Sequence, residues 1–166
     1  MRKKLSVGAA FAALIALAAV LAPAALSGDG HGDHRGFKVI KLTSTVAQEA
    51  DIDVAPLEQF NVGDGFAFSD DLWKRGEKIG DDGGQCTVVR IDGTVAVVNC
   101  VATFRLPGGQ LTVQGLITFD ESQTEEQPFT VAITGGTGEF TTAHGEVEVA
   151  PGADENTDEL IFRLIR

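Results

Sequence analysis

The segment Val131-Ala132-Ile133-Thr134-Gly135-Gly136-Thr137-Gly138-Glu139-Phe140-Thr141-Thr142-Ala143-His144-Gly145-Glu146-Val147 does most to limit what this chain can fold into. Its first eight residues have the look of a strand and glycine turn from a dinucleotide-binding unit. Such a unit needs a helix directly after the glycines, so that free N-terminal amides can hold a pyrophosphate. Here β-branched residues follow instead, and from Gly145 to Val149 the sequence alternates as a strand does. The residues from Gly138 to Arg166 are too few to complete a doubly wound sheet. There is no Gly-Lys-Ser/Thr, so a P-loop is excluded as well. The segment reads as strand, glycine turn, strand.

The same grammar runs through the chain from Phe37 onward. Strands are expected at residues 37–46, 66–69, 86–91, 95–106, 110–119, 129–134, 145–149 and 159–165. The separators are Gly63-Asp64-Gly65, Gly80-Asp81-Asp82-Gly83-Gly84, Pro107-Gly108-Gly109, the acidic stretch 120–128, and 151–157. No helical period exceeds about two turns, although residues 71–77 would allow one short helical turn. Eight such strands fit an all-β fold, a closed antiparallel barrel whose interior takes one small ligand. Closure also removes the edge strands that an exported β-protein must otherwise protect.

Export is expected from residues 1–27. Arg2, Lys3 and Lys4 precede an uncharged Ala/Leu/Val run from Leu5 to Leu21, and Ala22-Pro23-Ala24 and Ala25-Leu26-Ser27 both suit cleavage. The protein is therefore read as secreted, without a membrane anchor after signal removal. Residues 28–36 are read as a flexible linker. His31 and His34 with Asp29 and Asp33 offer metal-binding groups there, but four glycines in nine residues do not fix a zinc geometry, so no metal is assigned. Residues 37–166 form the single domain. The chain carries 24 Asp+Glu against 13 Lys+Arg, a net charge of −11, and losing Arg2, Lys3 and Lys4 makes it more negative still. A surface of that sign repels phosphate backbones and anionic lipid, which argues against nucleic-acid binding.

The two cysteines, Cys86 and Cys100, would meet an oxidising compartment. The residues between them read as one hairpin turning at Asp92-Gly93. A three-residue loop centred on Gly93 sets Cys86 opposite Cys100, whereas a two-residue Asp-Gly turn sets Asn99 there. A disulfide thus argues for the longer loop, and a closure of this length is worth about 3 kcal/mol.

Several blocks together resemble the allene oxide cyclase and dirigent-protein superfamily. They are Val62-Gly63-Asp64, Phe68-Ser69-Asp70-Asp71-Leu72, Gly84-Gln85-Cys86-Thr87-Val88-Val89, Gly109-Gln110-Leu111-Thr112-Val113-Gln114-Gly115, and the hairpin from Phe129 to Val149. They fall in the family's order over about residues 37–166 and are most similar to bacterial proteins with an allene-oxide-cyclase-like barrel domain. The resemblance implies a barrel with a ligand-sized lumen, and homo-oligomers, dimers or trimers, are common among such barrels. It also implies that Phe68, Asp70 and Cys86 face the cavity, which would turn the even-numbered side of both segments inward. On alternation alone both sides are apolar enough to serve.

The resemblance places the cyclases' asparagine at Asp70 and their cysteine at Cys86. Their glutamate falls near Ser44, where no carboxylate stands, and their tyrosine has no counterpart because the chain has none. An ionised Asp70 cannot donate a hydrogen bond as an amide can, and a disulfide-bonded Cys86 is not a thiol. The allene oxide reaction itself is therefore disfavoured. A dirigent-like role needs less: a shaped cavity and a carboxylate to bind or deprotonate a phenolic intermediate. The expected site comprises Phe66, Phe68, Asp70, Trp73 and Arg105, with Asp70 the candidate catalytic group and no cofactor. Each has a plainer reading. Asp70 and Asp71 would cap a helical turn, Trp73 would be a lid or core aromatic, and Arg105 would extend to water. His144 lacks a nucleophile in a recognisable setting, so no triad with Ser69 follows. The functional expectation is a protein holding a small apolar or phenolic molecule in its lumen. The alternatives are a cyclase or isomerase acting on a reactive intermediate, and a structural surface protein with a filled barrel.

Overall fold

The computed structural model describes residues 37–54, 56 and 60–165. The expected signal peptide, the linker and its His31 and His34 lie outside the described residues. Eight strands follow one another: β1 (Phe37–Ile52), β2 (Gly65–Lys74), β3 (Glu77–Asp92), β4 (Val95–Leu106), β5 (Gly109–Asp120), β6 (Phe129–Gly136), β7 (His144–Pro151) and β8 (Thr157–Ile165). Each pairs antiparallel with the next, and β8 returns to β1, so the sheet is a closed barrel. The closing ladder runs from Phe37↔Ile165 to Thr45↔Thr157. A single short 3₁₀ turn, Gly138–Phe140, interrupts the β6–β7 connection and buries Phe140.

Side-chain alternation decides which face is inside. On β2 Asp70 and Leu72 are buried, and on β3 and β4 Cys86, Val88, Val98, Cys100 and Phe104 are buried. The even side of these strands is therefore the lumen side. It meets Leu42, Leu111, Val131, Val147, Leu160 and Phe162 from the other strands in one apolar cluster. Phe104 and Phe162 pack edge to face with centroids 5.0 Å apart.

Three expectations about the chain path change. Residues 80–84 are not a separator but the middle of β3, paired with β2 throughout and, from Asp81 on, with β4. Their glycines serve close approach: a Cβ on Gly84 would come within 2.5 Å of the Val101 carbonyl oxygen and 2.7 Å of Phe68 Cζ. Residues 71–77 form no helical turn. β2 runs on to Lys74, and Arg75 and Gly76, both at positive φ (54° and 82°), make a two-residue hairpin turn. The capping reading of Asp70 and Asp71 goes with the helix.

The third change concerns the β3–β4 hairpin. Cys86 does face Cys100, and the two are joined, Cα to Cα 4.1 Å apart. The loop, however, is the two-residue turn Gly93–Thr94, with Asp92 opposite Val95 and Gly93 at φ 62°. The register is corrected further up, where Val89 is an extra residue on β3 between Val88↔Val98 and Arg90↔Val97. A bulge, not a longer loop, aligns the cysteines. It also turns Arg90, expected on the lumen side, out to solvent.

Two measurements check this architecture. Replacing Gly84 with Ala is expected to cost about 1–3 kcal/mol in chemical denaturation, because backbone and ring atoms both occupy the Cβ position. Removing the bridge in Cys86→Ser/Cys100→Ser is expected to cost about 3 kcal/mol. Intact-mass measurement with and without reductant shows whether the bridge is present.

Candidate functional site

Closure and alternation bring a row of polar side chains inside an otherwise apolar barrel. Across β8, β1, β2 and β3 the row is Asp158, Ser44, Asp70 and Asp82. Ser44 pairs with Asp158 on one side, and Asp70 lies directly opposite Asp82 on the other. Ser44, Asp70 and Asp82 are 3%, 9% and 7% exposed, while Asp158 is half-buried. The Ser44 hydroxyl donates to Asp70 Oδ2 at 3.1 Å. The second oxygen of Asp70, Oδ1, and Asp82 Oδ1 are both buried without a hydrogen-bond partner. Leaving such atoms unpartnered costs about 1–3 kcal/mol each.

Burial and mutual repulsion set the protonation of this row. The Asp82 carboxyl is pushed up to about 8, first by burial and then by the charge of Asp70. Asp70 is raised as well, mainly by burial, with the hydrogen bonds from Ser44 and from the Asp82 carboxyl pulling the other way. Asp158 is pushed up to about 6 by burial, then by Glu126 and Asp70. Two carboxylates facing one another in an apolar interior do not both ionise readily. With Asp82 raised to about 8, the pair keeps a proton at neutral pH.

Phe66 and Phe68 stand on the same face of β2 as Asp70, half-buried, with ring centroids 6.0 Å apart. Trp73 and Arg105, expected beside them, are on the opposite face. The pleat that buries Leu72 turns Trp73 outward, and the one that buries Phe104 and Leu106 turns Arg105 outward. Arg105 forms a two-pronged ion pair with Asp81 at 2.8 and 2.6 Å. Asp71 is likewise outside, 2.6 Å from Lys78. His144 is exposed, its Nδ1 3.1 Å from the Thr142 carbonyl oxygen. Cys86 and Cys100 line the interior as a disulfide, without a thiol to react.

Asp82 and Asp158 were not singled out by sequence. Asp82 sits within Asp-Asp-Gly-Gly, which has the composition of a turn, and Asp158 follows the polar run 151–157. The usable signal was register: once Cys86 is set against Cys100, the same β3 alternation puts Asp82 on the lumen side. A groove of about 410 Å³ between Gln85, Val101, Thr103, Gln114 and Thr134 involves outward-facing side chains and is not this site.

The class these features define is a closed antiparallel barrel with a buried acidic row and an aromatic wall. Residues 41–161 match the allene oxide cyclase barrel like domain, and the chain belongs to that family. Among solved structures, a pyocyanin demethylase is 29% identical, with a TM-score of 0.66 over 76% of this chain and 99% of its own. An exo-specific intermolecular Diels-Alderase is 12% identical, with a TM-score of 0.60 over 78% and 98%. A pterocarpan synthase dirigent protein is 16% identical, with a TM-score of 0.54 over 78% and 83%. The last two share the fold. No curated protein matches the chain.

The acidic row makes stability depend on pH in a direction opposite to most carboxylates. Unfolded, Asp82 and Asp158 would titrate near 3.8. Folded, they keep their protons to about 8 and about 6, so between these limits the folded state binds more protons and loses stability as pH rises. Asp81, held low by Arg105, acts oppositely, its contribution fading as pH falls through its lowered folded value. The melting temperature is therefore expected to fall from about pH 5 to about pH 8.5. Asp82→Asn should flatten that slope and gain more than about 1 kcal/mol at the alkaline end. An unchanged slope in Asp82→Asn would remove Asp82 as its source.

Proposed function

We propose that this protein holds a small apolar or phenolic molecule in its barrel, as a dirigent-like binder. Phe66 and Phe68 supply the flat apolar wall and Asp70 the polar anchor. The observation that carries the reading is the unpartnered, buried Asp70 Oδ1, on the β2 face that also carries the two half-buried phenyl rings. A ligand hydroxyl or N–H meeting that oxygen would satisfy it. The 29% identical structure is named for its action on pyocyanin, an aromatic molecule, which fits an aromatic occupant. Export to an oxidising compartment is part of the same proposal, and the Cys86–Cys100 bridge supports it.

A second reading, a cyclase or isomerase, is favoured by one specific feature. Asp70 and Asp82 face one another with both carboxyls raised, Asp82 to about 8, an arrangement that sets an acid beside a second carboxyl. Either could act on an intermediate held against the phenyl rings, and positioning would supply much of the acceleration.

Calorimetric titration with pyocyanin and a panel of simple phenols tests the binding reading. Asp70→Ala is expected to weaken the tightest of them by at least about tenfold, about 1.4 kcal/mol, without lowering the melting temperature. A loss of stability with affinity unchanged would make Asp70 a structural residue instead.

A further inference from the structure

The fully buried charges of the barrel have one sign, while Lys38, half-buried on the lumen side toward the Phe37 end of β1, lies over the Phe140 ring. Among the described residues, the buried charged side chains are Asp64, Asp70 and Asp82, with no lysine, arginine or histidine. Asp64 is committed to the β1–β2 loop, accepting the backbone N–H groups of Val54 and Asn61 at 2.7 Å each. Asp70 and Asp82 are not committed in this way: each keeps one buried oxygen with no partner, although Asp82 is only 7% exposed. The charges acting on Asp70, Asp82 and Asp158 come from one another and from Asp71, Asp81 and Glu126, all negative. The lumen-side neighbours continue the pattern. Glu49 is paired with Phe68 and Asp51 with Phe66, so these exposed acids stand beside the aromatic wall. On the outer face Arg105 pairs with Asp81, Lys78 with Asp71, and Arg163 with Glu146 and Glu148.

An ionised carboxylate in an apolar interior without a counter-ion is costly, and it is relieved when an opposite charge arrives. A metal ion does not suit the row, because no three His, Cys, Asp or Glu side chains among the described residues converge to hold one. An organic cation suits it better: a positive nitrogen in a flat ring gains the carboxylate and stacks on phenyl faces at once.

We propose that the ligand of this barrel carries a positive charge, an aromatic or quaternary-ammonium cation seated with its charge against Asp70 and its ring against Phe66 and Phe68. The proposal rests on the reading of the barrel as a small-molecule site and narrows its chemistry. It implies discrimination against carboxylate-bearing ligands such as fatty acids, which would meet Glu49 and Asp51 first and Asp70 after them.

Three flat probes of nearly equal size separate charge from shape: N-methylphenazinium, neutral phenazine and phenazine-1-carboxylate. In calorimetric titrations the cation is expected to bind at least about tenfold tighter than phenazine, and the carboxylate more weakly than either. Asp70→Asn, which keeps the size of the side chain, should abolish the preference for the cation over phenazine. Asp158→Asn, read in parallel, should reduce it. Equal affinity for cation and phenazine would overturn the charge proposal and leave the binding reading standing. A preference that survives in both variants would assign it to the exposed acidic surface and also overturn the proposal. If none of the three binds, the small-molecule reading falls with it.

Discussion

Everything distinctive about this molecule depends on the ladder between β1 and β8. Without the pairing that runs from Phe37↔Ile165 to Thr45↔Thr157, the eight strands would be an open meander with two free edges. With it, one face of every strand is enclosed. The same ladder puts Ser44 against Asp158, and the neighbouring one puts Asp70 within reach of Ser44. Closure thus joins Asp158 and Ser44 to the Asp70–Asp82 pair of the β2–β3 hairpin, so that the row draws on four strands.

Closure also makes the row expensive. Leu72, Leu111, Val147 and Phe162, all fully buried, are the ordinary occupants of such an interior, and the carboxyls replace what would otherwise be apolar packing. Mutual repulsion and burial raise both carboxyls, Asp82 to about 8, so that the pair keeps a proton at neutral pH. Ser44 supplies a hydrogen bond to Asp70. Asp70 Oδ1 and Asp82 Oδ1 are left without partners, and that imperfection distinguishes a site from a core. Asp64 shows the contrast: a buried aspartate with both oxygens occupied by backbone N–H groups, it organises a loop.

The barrel was legible because strands separated by turn residues leave little other choice, and the lumen face of β2 and β3 was legible through the resemblance at Phe68, Asp70 and Cys86. Local chemistry misled where the chain is bent by bulges. Val89 is an ordinary strand residue by composition, yet as an extra residue it sets the cysteine register and turns Arg90 outward. Gly80 to Gly84 have turn composition, but here glycine answers a steric demand across strands, with Phe68 and the Val101 backbone pressing on Gly84. Asp82 was hidden within that stretch. Trp73 and Arg105 were near Asp70 in sequence or on a neighbouring strand, but a strand puts successive residues on opposite faces, and both fall outside. Tertiary register, which composition does not encode, accounts for each of these differences.

The central claim is that Asp70 and Asp82 share a proton inside the barrel at neutral pH. Carbon-detected NMR of the aspartate side-chain carboxyls, followed through a pH titration, tests it most directly. The account predicts that the Asp82 carboxyl stays protonated through neutrality and loses its proton at about 8, with the Asp70 resonance responding to the same step. Independent titration of both residues near the ordinary aspartate value of 3.8 would contradict it.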